Sequence, residues 1–438
     1  MRFWVPYLIA IVFVTGCSEG MQDTKSFVAE MPDHEVGKFE AGNLTGDISD
    51  TEFAKLVRSS VVASPSARAG LAGIAASQAR ITSEQGRLRP QLNAETSVTD
   101  DGDTIPILRL SQIIYDGGKV ASRVGLRRIE AQQKWLDELS VLNALSFEAV
   151  ETIIDLERNR RLETQAQENL QRTGDLVDDL RERFDAGAGS VADLLAGEGR
   201  QSNAETELAQ AQTEVALATA TWIEVFGSPP GLVPTIPPAP NLVQASAQEM
   251  VARSPQLRSQ RAASEFRRQE VVVAERATRP TLSAILETDF DRGSIDDGAQ
   301  ARLGVDIPIY QGGSARADVR TARANLQQSK ANEEALRREL LRNLTQAIEE
   351  TTSVQQRLAF ARRAAAINSD ALDAARGQFD IGRTNLLQIL DALRELNTAQ
   401  VRVIQLEAQA RRAEYAVLAV TGDILDALGV ERPAGPVE

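Results

Sequence analysis

The chain is built twice. Tyr115-Asp116-Gly117-Gly118 returns as Tyr310-Gln311-Gly312-Gly313, 195 residues further on. Phe184-Asp185-Ala186-Gly187 returns as Phe379-Asp380-Ile381-Gly382, and Val225-Phe226-Gly227 as Val420-Thr421-Gly422, both at that same spacing of 195. The two copies therefore align from Tyr115 to Gly227 without a gap. Upstream, Ser64-Pro65 matches Ser254-Pro255 and Arg89-Pro90 matches Arg279-Pro280, at a spacing of 190. The missing five residues fall between Leu92 and Leu108, where Asp, Gly and Thr predict a loop. Loops absorb insertions that packed elements reject.

Each copy follows one plan. A polar, Ala-rich helical stretch (51–89 or 247–279) ends at Arg-Pro. Two short extended segments follow, closed by a Gly-Gly pair. Then comes a helical stretch of about 66 residues, 119–184 or 314–379, about 100 Å long at 1.5 Å per residue. A Gly-containing turn starts the last helix, 191–226 or 386–421. The domain limits are 51–227 for the first repeat, 228–246 for a proline-rich linker, 247–422 for the second repeat and 423–438 for a tail. The short helices match a long one when stacked in pairs. The lengths suggest 191–226 on 247–279 and 51–89 on 386–421, with the linker at the middle of the rod. Each chain then supplies four rod-length columns.

The long helices have coiled-coil spacing. One stripe runs Leu344, Ile348, Thr351, Val354, Leu358, Ala361, Ala365, Asn368, Leu372, Ala375, Phe379, in steps of three and four. The first copy keeps Ile153, Leu156, Ala166, Leu170, Val177, Leu180 and Phe184 in register. The stripe is narrow and the rest of each helix is Arg, Glu, Gln and Asn. Such a helix has water on two faces, which fits the wall of a water-filled tube. Periodicity alone fits a solvated rod or bundle as well.

The extended segments separate these readings. Leu92, Ala94, Thr96 and Val98 alternate with polar residues, and Ile107 to Ile114 follow across the loop. In the second copy 282–290 pairs with 303–310. Alternating segments of about ten residues suit a transmembrane barrel. Tyr115, Phe290 and Tyr310 are the candidates for an aromatic girdle. Four strands cannot close around an aqueous channel, and an open edge in lipid is prohibitive. Several chains must contribute, and three would bring twelve strands and twelve columns.

Composition narrows the chemistry. Of 438 residues, 62 are acidic and 48 basic, a formal charge of -14, so a nucleic acid would be repelled. Only 4% are aromatic, too few for several conventional cores. His34 and Cys17 are the only residues of their kinds, which leaves no disulfide and no Cys/His zinc cluster. With no phosphate-binding glycine loop or metal-ligand spacing either, the sequence predicts no enzyme and no cofactor. Asp178-Asp179 and Asp296-Asp297 read as solvated charge.

Residues 1–16 read as a signal peptide: Met1-Arg2, then an apolar run from Phe3 to Val14. Its end, Val14-Thr15-Gly16-Cys17, resembles a bacterial lipobox. The resemblance implies cleavage before Cys17 and acylation there, with 17–50 as a lipid-anchored segment. Several acyl chains together make a firm anchor. Ser18 stands where an inner-membrane retention Asp would be, which favours the outer membrane.

The order and spacing of these parts, with Leu108-Arg-Leu-Ser-Gln-Ile-Ile-Tyr-Asp-Gly-Gly118 and Gly382-Arg-Thr-Asn-Leu-Leu-Gln-Ile-Leu-Asp391, resemble the TolC family of outer-membrane channel-tunnels. The resemblance implies a mainly α fold with a small β part. Duplicated long-helix hairpins would form a trimeric α-barrel in the periplasm, and four strands per chain would join a 12-stranded transmembrane β-barrel. It implies a homotrimer in outer-membrane lipid of a Gram-negative bacterium. The trimer would serve as the passive exit duct of a tripartite efflux pump or type I secretion system, with a periplasmic adaptor and an inner-membrane transporter as partners. A soluble lipid-anchored periplasmic adaptor is the alternative. It would need a β-rich lipoyl-like domain, and no long Gly/Val-rich β segment suggests one.

The hairpin turns would be the periplasmic tips. Gly187 and Gly382 permit a positive φ after the long helices, and Ser190 and Asn385 are good caps for the next ones. By resemblance Gly187, Ser190, Gly382, Arg383 and Asn385 would touch the adaptor. Asp391 matches a gating Asp of the family, Gln388 stands where the family type has another Asp, and Thr384 where it has an Arg. Phe379 replaces a Tyr. Asp193 is the first-copy equivalent of Gln388. Threefold assembly would turn each into a ring, and a ring of carboxylates favours cations.

Overall fold

The computed structural model describes residues 44–98, 104–187, 189–242, 246–289, 300–381, 383 and 386–435. The signal peptide, Cys17, Phe290, Gly382, Thr384 and Asn385 lie outside the described residues.

Helix α1 (Glu52–Ala63) and α2 (Pro65–Gly86) lead into strands β2 (Gln91–Val98) and β3 (Thr104–Tyr115), after a two-residue β1 (Leu44–Thr45). The long α3 (Lys119–Asp185) then turns into α4 (Val191–Phe226). The second copy runs β4 (Asn241–Leu242), α5 (Ala247–Arg253), α6 (Pro255–Arg276), β5 (Thr281–Asp289), β6 (Gln300–Asp306), α7 (Ser314–Asp380) and α8 (Leu386–Thr421), then a short α9 (Ile424–Leu428). Each long helix has 67 residues, about 100 Å. Gly118 and Gly313 precede them in the left-handed region, at φ 81° and 87°. That conformation turns a strand sharply into a helix and is open to glycine.

Four columns stand side by side, but they stack differently from the length-based expectation. α3 packs on α2 along one half and on α4 along the other, and α1 touches α4. α6 and α8 both fill the space between α3 and α7, and α5 meets α8 end on. The columns are therefore α1/α2 with α4, then α3, then α5/α6 with α8, then α7. α2 and α6 have 22 residues each and α4 and α8 have 36 each, so length cannot choose the pairing. Chain connectivity does: α2 enters α3 through a hairpin and α4 leaves it through a tight turn, so both must lie along α3.

The stretches 51–89 and 247–279 are each two helices. Pro65 and Pro255 lack an N–H and can only open a helix, so the chain breaks at Ser64 and Ser254. Ser64 caps the second piece, its Oγ accepting from Ser66 N at 3.2 Å. The last strand ends at Asp306, short of the expected 310, before Pro308.

The largest core lies at mid-rod. Phe53, Val57, Trp135, Leu139, Ile153, Trp222, Ile236, Tyr415 and Leu425 join helices of both repeats, the linker and the C-terminal segment there. The Tyr415 hydroxyl donates to Pro237 O at 3.1 Å, and Trp135 Nε1 to Pro433 O at 2.9 Å. Within the coiled-coil stripe of α7, Leu344, Val354, Leu358 and Leu372 are buried while Ile348 is exposed at its edge. α3 is flanked on both sides and buries polar residues too, with Gln165 donating to Asn397 and Gln400 of α8 at 3.0 and 2.8 Å.

Candidate functional site

Two ends of the rod carry the groups that a duct would use. At one end, β2, β3, β5 and β6 form a single antiparallel sheet in that order, joining both repeats. The register sorts the side chains. Leu92 pairs with Leu110, Leu110 with Leu286, and Leu286 with Ala301; Ala284 pairs with Leu303 and Leu282 with Val305. These share one face, since paired residues point the same way. Leu92, Leu286, Leu303 and Val305 are exposed there. The opposite face carries a charge ladder: Arg109 pairs with Glu95 and with Glu287, each at 3.1 Å, and Arg302 with Glu287 at 3.1 Å. One face thus suits hydrocarbon and the other water. β2 and β6 are edge strands of the sheet.

At the other end are the two tips. In the first, Gly187 takes φ 72° and its N–H bonds Phe184 O at 2.9 Å. Ser190 caps α4, its Oγ accepting from Ala192 N at 3.1 Å. Asp193 lies in the first turn of α4, where the helix dipole favours a carboxylate. In the second tip, the N–H of the exposed Arg383 bonds Gln378 O at 2.9 Å. Just inside the tips, Leu176 and Leu180 of α3 pack with Leu372 of α7 and with Leu386, Ile389, Leu390 and Leu393 of α8. The Arg183 guanidinium sits 3.9 Å from the centre of the Phe379 ring, joining the ends of the two long helices.

Asp391 is held by Arg200 of α4, with Nη2 to Oδ1 at 2.8 Å. Asp193 makes no ion pair among the described residues, and Gln388 is exposed on α8. The structure therefore brings Asp391 to a partner that sequence reasoning missed. A signal existed. At the repeat spacing Arg200 corresponds to Glu395 and Asp391 to Ala196, so both halves of the pair break the internal repeat.

A duplicated long-helix hairpin capped by a four-stranded sheet with one apolar face is an architecture shared with outer-membrane channel proteins. Residues 247–423 match the family of outer membrane efflux proteins. The chain is 27% identical over 388 residues to the outer membrane efflux protein BepC of Brucella suis biovar 1 (strain 1330), covering 82% of this chain and 83% of that protein. Its fold matches the solved structure of CusC with TM-score 0.77 at 18% identity, covering 88% of this chain and 96% of that one. The outer-membrane channel OprN matches with TM-score 0.76 at 20% identity, over 88% and 96%. The second repeat thus matches the outer membrane efflux protein family, and the chain as a whole has the fold of these outer-membrane channels.

Proposed function

We propose that this protein is the outer-membrane exit duct of a tripartite efflux assembly. Three copies close one tube, a β-barrel of twelve strands in the outer membrane continued by twelve helical columns in the periplasm. Cys17 carries the lipid anchor. The tips around Gly187, Ser190, Gly382, Arg383 and Asn385 dock on a periplasmic adaptor, which couples the duct to an inner-membrane transporter. Asp391, Gln388, Thr384 and Asp193 line the constriction above the tips. The duct needs no cofactor, because the transporter supplies the energy.

The observation that carries this reading is the sheet. One of its faces is exposed and apolar, the other bears a ladder of charges, and both edges await a partner strand. In lipid such edges must be paired, and further copies of the same sheet can pair them in a ring. α7, the outermost column, also leaves Phe360 and Ile367 exposed, as a helix does when it waits for a neighbour. The soluble-adaptor alternative gives no use for an apolar sheet face.

The test is reconstitution. Purified protein should run as a trimer and open ion-conducting pores in planar bilayers, and Cys17→Ala should lose acylation while keeping the pore. A monomer that stays water-soluble and electrically silent would reject the duct.

A further inference from the structure

The row of columns is curved. A recess of about 610 Å³ is floored by α3 and α8 and walled by α4 and α7, which are separated by those two columns. Outer columns can line one recess only on the concave side of the row. The opposite face of α3 and α8 carries Thr235 and Ile236 of the linker. In a closed tube the concave face is the inner wall, so the recess opens on the tunnel near mid-rod. Its volume falls in the range of small-molecule pockets, about 300–1,000 Å³.

The lining sorts by charge. Arg412 is neutralised by Glu151 at 3.1 Å and Asp155 at 2.6 Å, and Arg158 by Asp155 at 3.1 Å. Glu350 is neutralised by Arg357 at 2.8 Å. Glu214 remains, exposed on α4, its side chain in no ion pair or hydrogen bond among the described residues. Between these groups the floor is apolar, with Leu162 of α3 and Ala413 of α8.

We propose that this recess is a dwelling site for amphipathic organic cations in transit, with the ammonium beside Glu214 and the apolar body on the floor. It rests on the reading of the chain as a tunnel wall. A single carboxylate over a small apolar floor holds a passing molecule without trapping it, which suits a conduit that must also release its cargo.

The test uses the reconstituted full-length channel with rhodamine 6G as the probe, reading current blocks. Wild type should show discrete blocks, and Glu214→Gln should shorten their dwell about tenfold, equivalent to about 1.4 kcal/mol of binding. Glu224→Gln, an exposed position ten residues along α4 and turned to another side, should block like wild type. Ala416→Phe, which fills the recess, should abolish the long blocks while current persists. The anionic amphiphile 8-anilinonaphthalene-1-sulfonate should give only brief blocks. Cation dwell unaffected by Glu214→Gln, or equal blocks by the anion, overturns the dwelling site and leaves the duct standing. Protein that never conducts overturns both.

Discussion

Arg200 of the first repeat holds Asp391 of the second at 2.8 Å, so one ion pair ties the two helical hairpins together above the tips. Asp391 is 54% exposed and Arg200 30%, so the pair contributes at most about 1 kcal/mol to stability. Its effect on hairpin separation is a different matter, because a bridge between α4 and α8 opposes the parting of these helices that the proposed gate would need. Asp391→Ala and Arg200→Ala should each raise single-channel conductance and vancomycin entry into cells, with little change in unfolding temperature. The swap Arg200→Asp with Asp391→Arg should restore the closed behaviour. Conductance that ignores all three changes would leave the pair a surface contact.

Much of this architecture was legible because repetition filters noise. The paired glycines at 117–118 and 312–313, and the turns after Phe184 and Phe379, mark helix limits that the structure places within a residue or two. The stripe from Leu344 to Phe379 was readable because a narrow seam needs steps of three and four. Two features were not. The stacking of short helices on long ones depends on which neighbours the connections enforce, and equal lengths hide that. The Arg200–Asp391 pair depends on two helices from different repeats converging at one level, and its one trace in the sequence is that both residues break the repeat, which marks the positions without saying that they meet.

The two faces of the sheet should respond oppositely to charge. Leu286 lies on the apolar face between Leu110 and Ala301, while its neighbour Glu287 bridges Arg109 and Arg302 on the other. Leu286→Arg should cost about 2–4 kcal/mol at mid-bilayer depth and reduce the protein recovered from outer-membrane fractions. Glu287→Gln should leave assembly intact and change only ion selectivity. Equal tolerance at both positions would argue that neither face meets lipid.

Glu138 on α3 is buried against Gly70 of α2, and neither carboxylate oxygen has a hydrogen-bond partner. Burial pushes its pKa above the ordinary 4.5. A raised acid favours the folded state when protonated. That stability is complete below the unfolded value and is lost as pH rises through the folded one. Glu138→Gln should therefore stabilise the protein at about pH 7.5, by roughly 1–2 kcal/mol, because it removes an unpaired buried charge. The gain should shrink steadily as pH falls toward 4.5. Thermal unfolding of both proteins across that interval reads the difference directly, and a gain independent of pH would mean that the Glu138 carboxyl titrates alike in the folded and unfolded chain.

Equivalent glycines of the two repeats should differ in what they tolerate. Gly227 and Gly422 end α4 and α8 at φ 72° and 85°, conformations that cost an L-residue about 1–2 kcal/mol. Beyond that the sites diverge. A methyl group on Gly227 would meet nothing within 4 Å, whereas one on Gly422 would overlap the ring of Pro255, at the junction of α5 and α6. That ring is rigid and Pro255 is buried, so the overlap cannot be relieved by a side-chain rotation. The next residue, Asp423, is buried and paired with Arg253 at 3.3 Å, which leaves the backbone little room to shift. Gly227→Ala should lower stability by about the φ cost alone, and Gly422→Ala by distinctly more, measured by denaturant unfolding in detergent. Equal losses would mean that α8 and the α5/α6 pair do not abut at mid-rod, and with that the continuous third column would fail.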